Sequence, residues 1–227
     1  MSDIPPPPPI SPSGMQPPAD IGAAFSYAWR KFKEYLGPII LITLAVFVGI
    51  AVFQALSFFV QRGSSGGVGG FFLALLFSGL GAIVGFVLEY GVVRASLAVV
   101  DGRPVTFAEA WNMDRFGPFL VAAILRGLIV FVGLLLCVIP GLIASFLLIF
   151  TPFFVIDKQL SPTGSLAASY NLVKSKAGLL VLFSIVAVVI YFAGAIACFV
   201  GLLVSIPVVL IATAFMYKRT DGQPVAL

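Results

Sequence analysis

Histidine is absent from the 227 residues, and cysteine occurs twice, at Cys137 and Cys198. Both cysteines lie inside apolar runs and far apart in sequence, whereas zinc sites and redox motifs need paired ligands at short spacing. We therefore expect no metal site, no disulfide scaffold and no cofactor. Serine hydroxyls also lack the histidine that activates such a nucleophile, so the sequence predicts a protein without enzymatic activity.

Charged residues are also scarce. They make up 10% of the chain, against 60% hydrophobic residues, and the mean hydropathy is +1.14. A soluble domain contains about 25% charged and about 45–50% apolar residues. The composition therefore predicts an integral membrane protein. The net charge of +4 does not indicate nucleic-acid binding, because the basic residues flank the apolar runs, as membrane insertion favours.

Proline divides the chain into segments. Half of the sixteen prolines lie in the first twenty residues, so residues 1–19 are predicted to be a disordered, proline-rich cytoplasmic tail. A transmembrane domain is expected over 20–219 and a short cytoplasmic tail over 220–227. No secretory signal pattern occurs before Pro38, so the first apolar run should remain as a membrane helix.

Long apolar runs alternate with short polar segments from Pro38 onward. A bilayer core of about 30 Å takes about 20 helical residues, which predicts an all-α bundle of six transmembrane helices in three hairpins. The predicted spans are 38–60, 71–98, 118–137, 141–157, 178–199 and 202–218. The breaks inside the last two hairpins contain glycine and proline, although Pro207 is also consistent with a kinked continuous helix.

The basic residues predict the orientation. With six spans, eleven lysines and arginines fall on the side of the amino terminus, Arg62 lies on the other side, and Arg126 lies within a span. Basic residues concentrate in cytoplasmic loops. We therefore expect a multi-pass protein of the cell membrane with both termini in the cytoplasm.

A short pattern recurs before each hairpin. The segment "FSYAWRKFKEYLGPII" at 25–40 resembles "FAEAWNMDRFGPFL" at 107–120, and a fainter copy lies at 161–180. Asp20, the capping box Thr106 to Glu109, and Ser161 or Ser165 are candidate helix starts. Each copy is predicted to be a cytoplasmic interfacial amphipathic helix. The expected headgroup anchors and the joints to the spans are Trp29, Trp111, Tyr170, Gly37, Pro38, Gly117, Pro118 and Gly178.

The repeated helix, "IPG" at 139–141 and "VIDKQLSPTGSLAASYNLVK" at 155–174 resemble a family of bacterial six-helix membrane proteins. That family is similar to the membrane domain of some glycerophosphodiester phosphodiesterases. The proline-rich start resembles that of proline- and glycine-rich transmembrane proteins within the group. The resemblance implies a fold and a membrane location, and it transfers no catalytic residue.

Two ionisable residues are predicted at membrane depth, Glu89 in the second span and Arg126 in the third. A charge near the bilayer centre costs about 2.5–3.5 kcal/mol on insertion scales, so the two are expected to pair. The pair is either a substrate or proton site or a structural ion pair, or Arg126 instead extends toward the cytoplasmic headgroups. Asp101, Asp114 and Asp157 lie near helix ends, where we expect local salt bridges.

Two functions are consistent with these features. The first is a non-enzymatic accessory or scaffold protein that organises lipids or components of the cell envelope, with membrane lipids, envelope proteins or a second copy of itself as partners. The alternative is a small transporter or channel with a buried Glu89/Arg126 site. Few polar residues lie in the predicted spans, which favours the first.

Overall fold

The computed structural model describes residues 19–63, 67–197 and 201–226. Within these ranges 84% of the residues are α-helical and none forms a strand. The predicted all-α fold is therefore confirmed. Nearly all of the predicted disordered tail at 1–19, residues 64–66 of the glycine-rich segment after Arg62, and part of the last predicted break lie outside the described residues.

The described residues form ten helices. They are α1 (Ile21–Glu34), α2 (Leu36–Gly63), α3 (Val68–Val100), α4 (Phe107–Ala110), α5 (Phe116–Leu136), α6 (Val138–Leu147), α7 (Thr151–Asp157), α8 (Pro162–Ser175), α9 (Ala177–Ile196) and α10 (Leu202–Thr220). Six segments are long and apolar enough to cross a membrane, namely α2, α3, α5, α6 with α7, α9 and α10. Their boundaries agree with the six predicted spans to within three residues.

Side-chain caps begin the three short helices that precede spans. The N–H groups of Ala23, Glu109 and Gly164 donate to Asp20, Thr106 and Ser161 at 3.0, 3.1 and 3.2 Å. Ser161 rather than Ser165 therefore starts α8. In a capping box the Glu109 carboxylate would also accept from the N–H of Thr106. Here that carboxylate pairs with Arg94 and Arg103 instead. The position of these helices at a membrane surface stays a prediction.

The bends between short helices and spans differ from the prediction. The chain turns at Tyr35, Arg115 and Lys176, whose φ angles of −105°, −118° and −125° are open to any residue. The predicted joints Gly37, Pro38, Gly117, Pro118 and Gly178 lie in the first turns of α2, α5 and α9. None of the three glycines has a positive φ. The bends therefore do not need glycine, whereas the two prolines occupy positions whose N–H would lack a helical partner anyway.

The break between α6 and α7 lies inside one span. The Ser169 hydroxyl of α8 donates to the Leu147 carbonyl at 2.9 Å and accepts from the Phe150 N–H at 3.1 Å. Backbone groups freed at a break must find partners, since an unpaired buried polar group is costly. One side chain thus supplies hydrogen-bond partners for backbone groups on both sides of the break.

Spans that follow each other in sequence approach closely at glycines. A Cβ at Gly81 of α3 would lie 2.6 Å from the Phe53 ring of α2, and one at Gly133 of α5 would lie 2.9 Å from the Cα of Gly141 in α6. Such positions exclude larger residues. Close backbone approach supplies packing in lipid, where a hydrophobic drive between helices is absent.

Most of the buried core lies at one end of the bundle, here called the packed end. It consists of α1, the C-terminal part of α3, α7, the start of α9 and the C-terminal part of α10. Tyr27 of α1 packs on Phe215 with ring centroids 4.9 Å apart, and Tyr217 packs on Phe150, Phe153 and Phe154. The α1 helix is therefore part of the core.

The opposite end, here called the open end, exposes large apolar side chains. They include Phe58, Phe59, Phe71, Phe72, Leu135, Leu136, Val138, Ile139, Phe192 and Ile196. In a protein with six membrane-length helices, such a surface is suited to lipid tails.

Candidate intramembrane ligand site

A cleft of about 870 Å³ lies between the spans, and all six contribute to its walls. Most of the lining is apolar, with Val46, Val130 and Leu210 from three different helices as examples. The hydroxyls of Ser184 and Tyr191 are among its few polar groups. Ligand sites in proteins are typically clefts of about 300–1,000 Å³ with apolar walls and a few polar groups, and this cleft fits that description.

Glu89 and Arg126 both line this cleft. The structure brings them together across α3 and α5, with Arg126 Nη2 donating to Glu89 Oε1 at 2.6 Å. Their side chains are 31% and 25% exposed, so neither is enclosed by protein. The predicted pair is therefore a wall element of the cleft, in contact with its open space.

The pair has unused hydrogen-bonding capacity. A guanidinium carries five N–H donors, and a carboxylate has two accepting oxygens. Within the described residues, the contact between Nη2 and Oε1 is the single hydrogen bond that either side chain makes. The remaining donors of Arg126 and the second oxygen of Glu89 are therefore available to a ligand.

Two glycines keep the space beside the pair open. Gly85 lies one helical turn before Glu89, and Gly127 directly follows Arg126. Both line the cleft, and a Cβ at either position would meet nothing within 4 Å. A larger side chain at Gly85 would extend into the cleft without replacing either member of the ion pair.

A second group of charges lies at the packed end. Arg94, which is 9% exposed, donates to Glu109 at 3.1 Å and to the Tyr90 hydroxyl at 3.2 Å, and it also contacts Asp114. Arg103 contacts Glu109 at 2.8 Å and Asp101 at 3.3 Å, and it therefore links these two carboxylates. Asp114 and Asp101 thus form salt bridges, as the sequence predicted.

The same network continues to α10. Lys218 is 5% exposed and contacts Asp101 at 3.0 Å and Asp157 at 2.6 Å. Asp157 also accepts from the Tyr217 hydroxyl at 2.9 Å and from Gln223 at 3.0 Å. These groups satisfy one another, and the arrangement joins α3, α4, α7 and α10. A structural role accounts for the whole network.

The sequence reasoning missed the buried cations of this network. Arg94 and Lys218 were counted as orientation signals alone. A basic residue inside a helix that otherwise reads as apolar was the available signal, because such a residue is retained only when it is paired.

The predicted headgroup anchors occupy two kinds of environment. Trp29 and Tyr170 are 47% and 42% exposed, with Lys33 and Lys174 near their rings. Trp111 is half-buried and packs against Gly91 of α3, where an added Cβ would lie 2.7 Å from the indole. An anchoring role at the membrane interface stays a prediction for all three.

Comparison with known proteins finds mycobacterial relatives. The chain is 30% identical over 242 aligned positions to Uncharacterized protein Rv2560 of Mycobacterium tuberculosis, an alignment that covers 97% of this chain and 74% of the relative. It belongs to the same family as that protein. Uncharacterized protein Mb2590 of Mycobacterium bovis matches over the same shares at the same identity. No family model matches the chain, and no solved structure matches it either. The names of these relatives state no activity, and the six membrane-length helices of this chain indicate a multi-pass membrane protein.

Proposed function

We propose that this membrane protein binds lipid in the cleft between its spans, as a non-enzymatic accessory or scaffold protein that organises lipids or envelope components. The observation that carries the proposal is the cleft of about 870 Å³ with the Glu89–Arg126 pair in its wall. Its apolar surface suits acyl chains, and the pair suits a polar headgroup.

The placement of the pair supports a role in binding. An enclosed ion pair needs further hydrogen bonds to its remaining donors and acceptors, because these offset the desolvation of its charges. The network around Lys218 has that character, whereas Glu89 and Arg126 share one hydrogen bond and face open space. Ionisable residues within membrane spans commonly mark substrate or ion pathways.

A small transporter or channel is the second candidate. The specific observation in its favour is that an ionisable pair lines a cleft between spans, and the substrate sites of transporters are also formed between membrane helices. Proton relays use chains of acidic or histidine side chains. Among the described residues that line the cleft, Glu89 is the one carboxylate, which favours lipid binding over ion transport.

We also propose that the packed end faces the cytoplasm of the cell, with both termini on that side. The support is the concentration of lysine and arginine at this end, including Arg94, Arg103 and Lys218. Envelope proteins or a second copy of the chain are the proposed protein partners, and the exposed apolar side chains of the open end are available for such contacts.

Native mass spectrometry of the gently extracted full chain tests lipid binding. We expect the wild type to retain phospholipid, and we expect both Arg126→Ala and Gly85→Leu to lose it while keeping their helical circular dichroism. Gly117→Ala is the matched control, because a Cβ there meets open space outside the cleft. Equal retention by all four proteins would contradict the proposal.

A further inference from the structure

We infer that the lipid bound in the cleft is a zwitterionic phospholipid whose headgroup carries a phosphate and a primary ammonium. The phosphate binds the free N–H groups of Arg126, and the ammonium binds the free carboxylate oxygen of Glu89. This inference rests on the proposed lipid-binding function. It adds the headgroup class and the atoms that recognise it.

Charge balance selects a zwitterion. Glu89 and Arg126 together carry no net charge, and they lie among apolar walls where an unbalanced charge is costly. An anionic headgroup on Arg126 would face the carboxylate of Glu89 and leave a net negative site. A cationic ligand on Glu89 would face the guanidinium of Arg126 and leave a net positive site. A headgroup with both charges meets each partner and keeps the site neutral.

Hydrogen-bond capacity selects an ammonium that has N–H groups. The planar guanidinium can donate two parallel hydrogen bonds to two oxygens of one phosphate. Such charge-assisted hydrogen bonds are stronger than those between neutral groups. The second oxygen of Glu89 is an acceptor without a partner in the described structure. A primary ammonium donates to it directly, whereas a quaternary ammonium has no N–H to donate. The site is therefore complementary to phosphoethanolamine rather than to phosphocholine.

The depth of the pair allows a headgroup to reach it. Trp111 packs on Gly91, two residues after Glu89, and helices rise about 1.5 Å per residue. With Trp111 at the headgroup level, as predicted, the backbone of Glu89 lies about 3 Å deeper along α3. Side chains of a helix tilt toward its N-terminus, so we expect the guanidinium of Arg126 to lie nearer the packed end than the Arg126 backbone does.

Open space beside the pair accommodates the remainder of the lipid. Gly85 and Gly127 present no side chain there, and apolar residues of the surrounding spans continue the wall. The cleft is open rather than enclosed, so acyl chains can extend from it into the bilayer. A small water-soluble zwitterion would leave this apolar surface unused.

A headgroup competition tests the inference. The purified full chain is incubated in mixed micelles with equal amounts of phosphatidylethanolamine, phosphatidylcholine and phosphatidylglycerol that share the same acyl chains. Native mass spectrometry then measures the retained lipids. We expect phosphatidylethanolamine to exceed each of the other two by about tenfold, which corresponds to about 1.4 kcal/mol.

The Glu89→Gln variant separates the two charges. It removes the ammonium site and leaves Arg126 with an unbalanced positive charge. We expect the preference to change from phosphatidylethanolamine to phosphatidylglycerol. An unchanged preference for phosphatidylethanolamine would overturn the assigned role of Glu89. If this variant fails to fold, the competition on the wild type still decides the headgroup class.

The remaining outcomes separate this inference from the proposed function. Retention of phosphatidylglycerol or phosphatidylcholine at least equal to that of phosphatidylethanolamine, abolished by Gly85→Leu, would overturn the headgroup assignment and leave lipid binding in the cleft intact. Lipid retention that Gly85→Leu does not reduce would overturn both, because the bound lipid would then lie outside the cleft.

Discussion

Replacing Asp157 by asparagine removes one charge from the network at the packed end. The carboxylate accepts hydrogen bonds from Lys218 at 2.6 Å, from Tyr217 at 2.9 Å and from Gln223 at 3.0 Å. The side chains of Asp157 and Lys218 are 13% and 6% exposed. The substitution therefore leaves a buried ammonium with Asp101 as its remaining carboxylate partner.

The size of the effect follows from this environment. Removing one member of a buried ion pair costs about 3–5 kcal/mol, whereas an exposed pair contributes about 0–1 kcal/mol. Lys218 keeps its 3.0 Å contact with Asp101, and the asparagine oxygen still accepts one neutral hydrogen bond. We therefore expect the free energy of unfolding of Asp157→Asn to fall by about 3 kcal/mol, at the lower end of the range.

Equilibrium unfolding in mixed micelles, driven by an increasing fraction of sodium dodecyl sulfate and followed by tryptophan fluorescence, measures this loss. Arg103→Gln is the control, because Arg103 is 44% exposed and its loss is expected to cost about 1 kcal/mol at most. The double variant Asp157→Asn/Lys218→Met should be more stable than Asp157→Asn, since it removes a buried ammonium that has lost one of its two carboxylate partners. Equal losses for Asp157→Asn and Arg103→Gln would refute the reasoning.

Three further changes test other parts of the molecule. Gly133→Ala places a Cβ 2.9 Å from the Gly141 Cα and should cost about 1–3 kcal/mol in the same titration, while Gly117→Ala should be neutral or stabilising. Tyr27→Phe removes the 2.8 Å bond to the Ala226 carbonyl and should cost about 1 kcal/mol. Burial raises the pKa of Tyr27 above its ordinary value of 10.0. Above that pH the Tyr27 hydroxyl ionises in the unfolded chain but stays protonated in the folded protein. The contribution of Tyr27 to the free energy of unfolding is therefore present at lower pH and declines at alkaline pH. Between pH 8 and pH 11, the free energy of unfolding should therefore fall less for Tyr27→Phe than for the wild type. In a chain without native cysteines, an impermeant maleimide should label Val68→Cys on intact cells and Glu34→Cys after permeabilisation; the reverse pattern would contradict the proposed orientation.

Local signals predicted the helices well. The spans follow from uninterrupted apolar length, and Asp20, Thr106 and Ser161 begin helices because a side-chain oxygen near unpaired N–H groups is a short-range interaction. Where a long-range partner competed, the local pattern failed. Glu109 bonds to Arg94 and Arg103 instead of reaching back to its own cap, and α4 ends at Ala110.

The site was predicted in part. Two opposite charges within apolar runs indicated that Glu89 and Arg126 would meet, since each is costly alone in lipid. The cleft itself was not predictable, because residues such as Val46 and Val130 have the same apolar character whether they face a cleft, a neighbouring helix or lipid. The contacts of Lys218 with Asp101 and Asp157 join distant parts of the chain, and no local pattern encodes them.

The position of α10 has a consequence for biogenesis. It is the least apolar of the six candidate spans and the one most surrounded by protein, and it is the last of them to leave the ribosome. Asp101 already has Arg103 as a partner, whereas the hydrogen-bond partners of Asp157 are Tyr217 and Lys218 of α10 and Gln223 beyond it. The Asp157 carboxylate is therefore paired only when α10 is in place. A chain interrupted before α10 would thus lack both the most buried span and the partners of Asp157, so the packed end can be completed only after the last span is made.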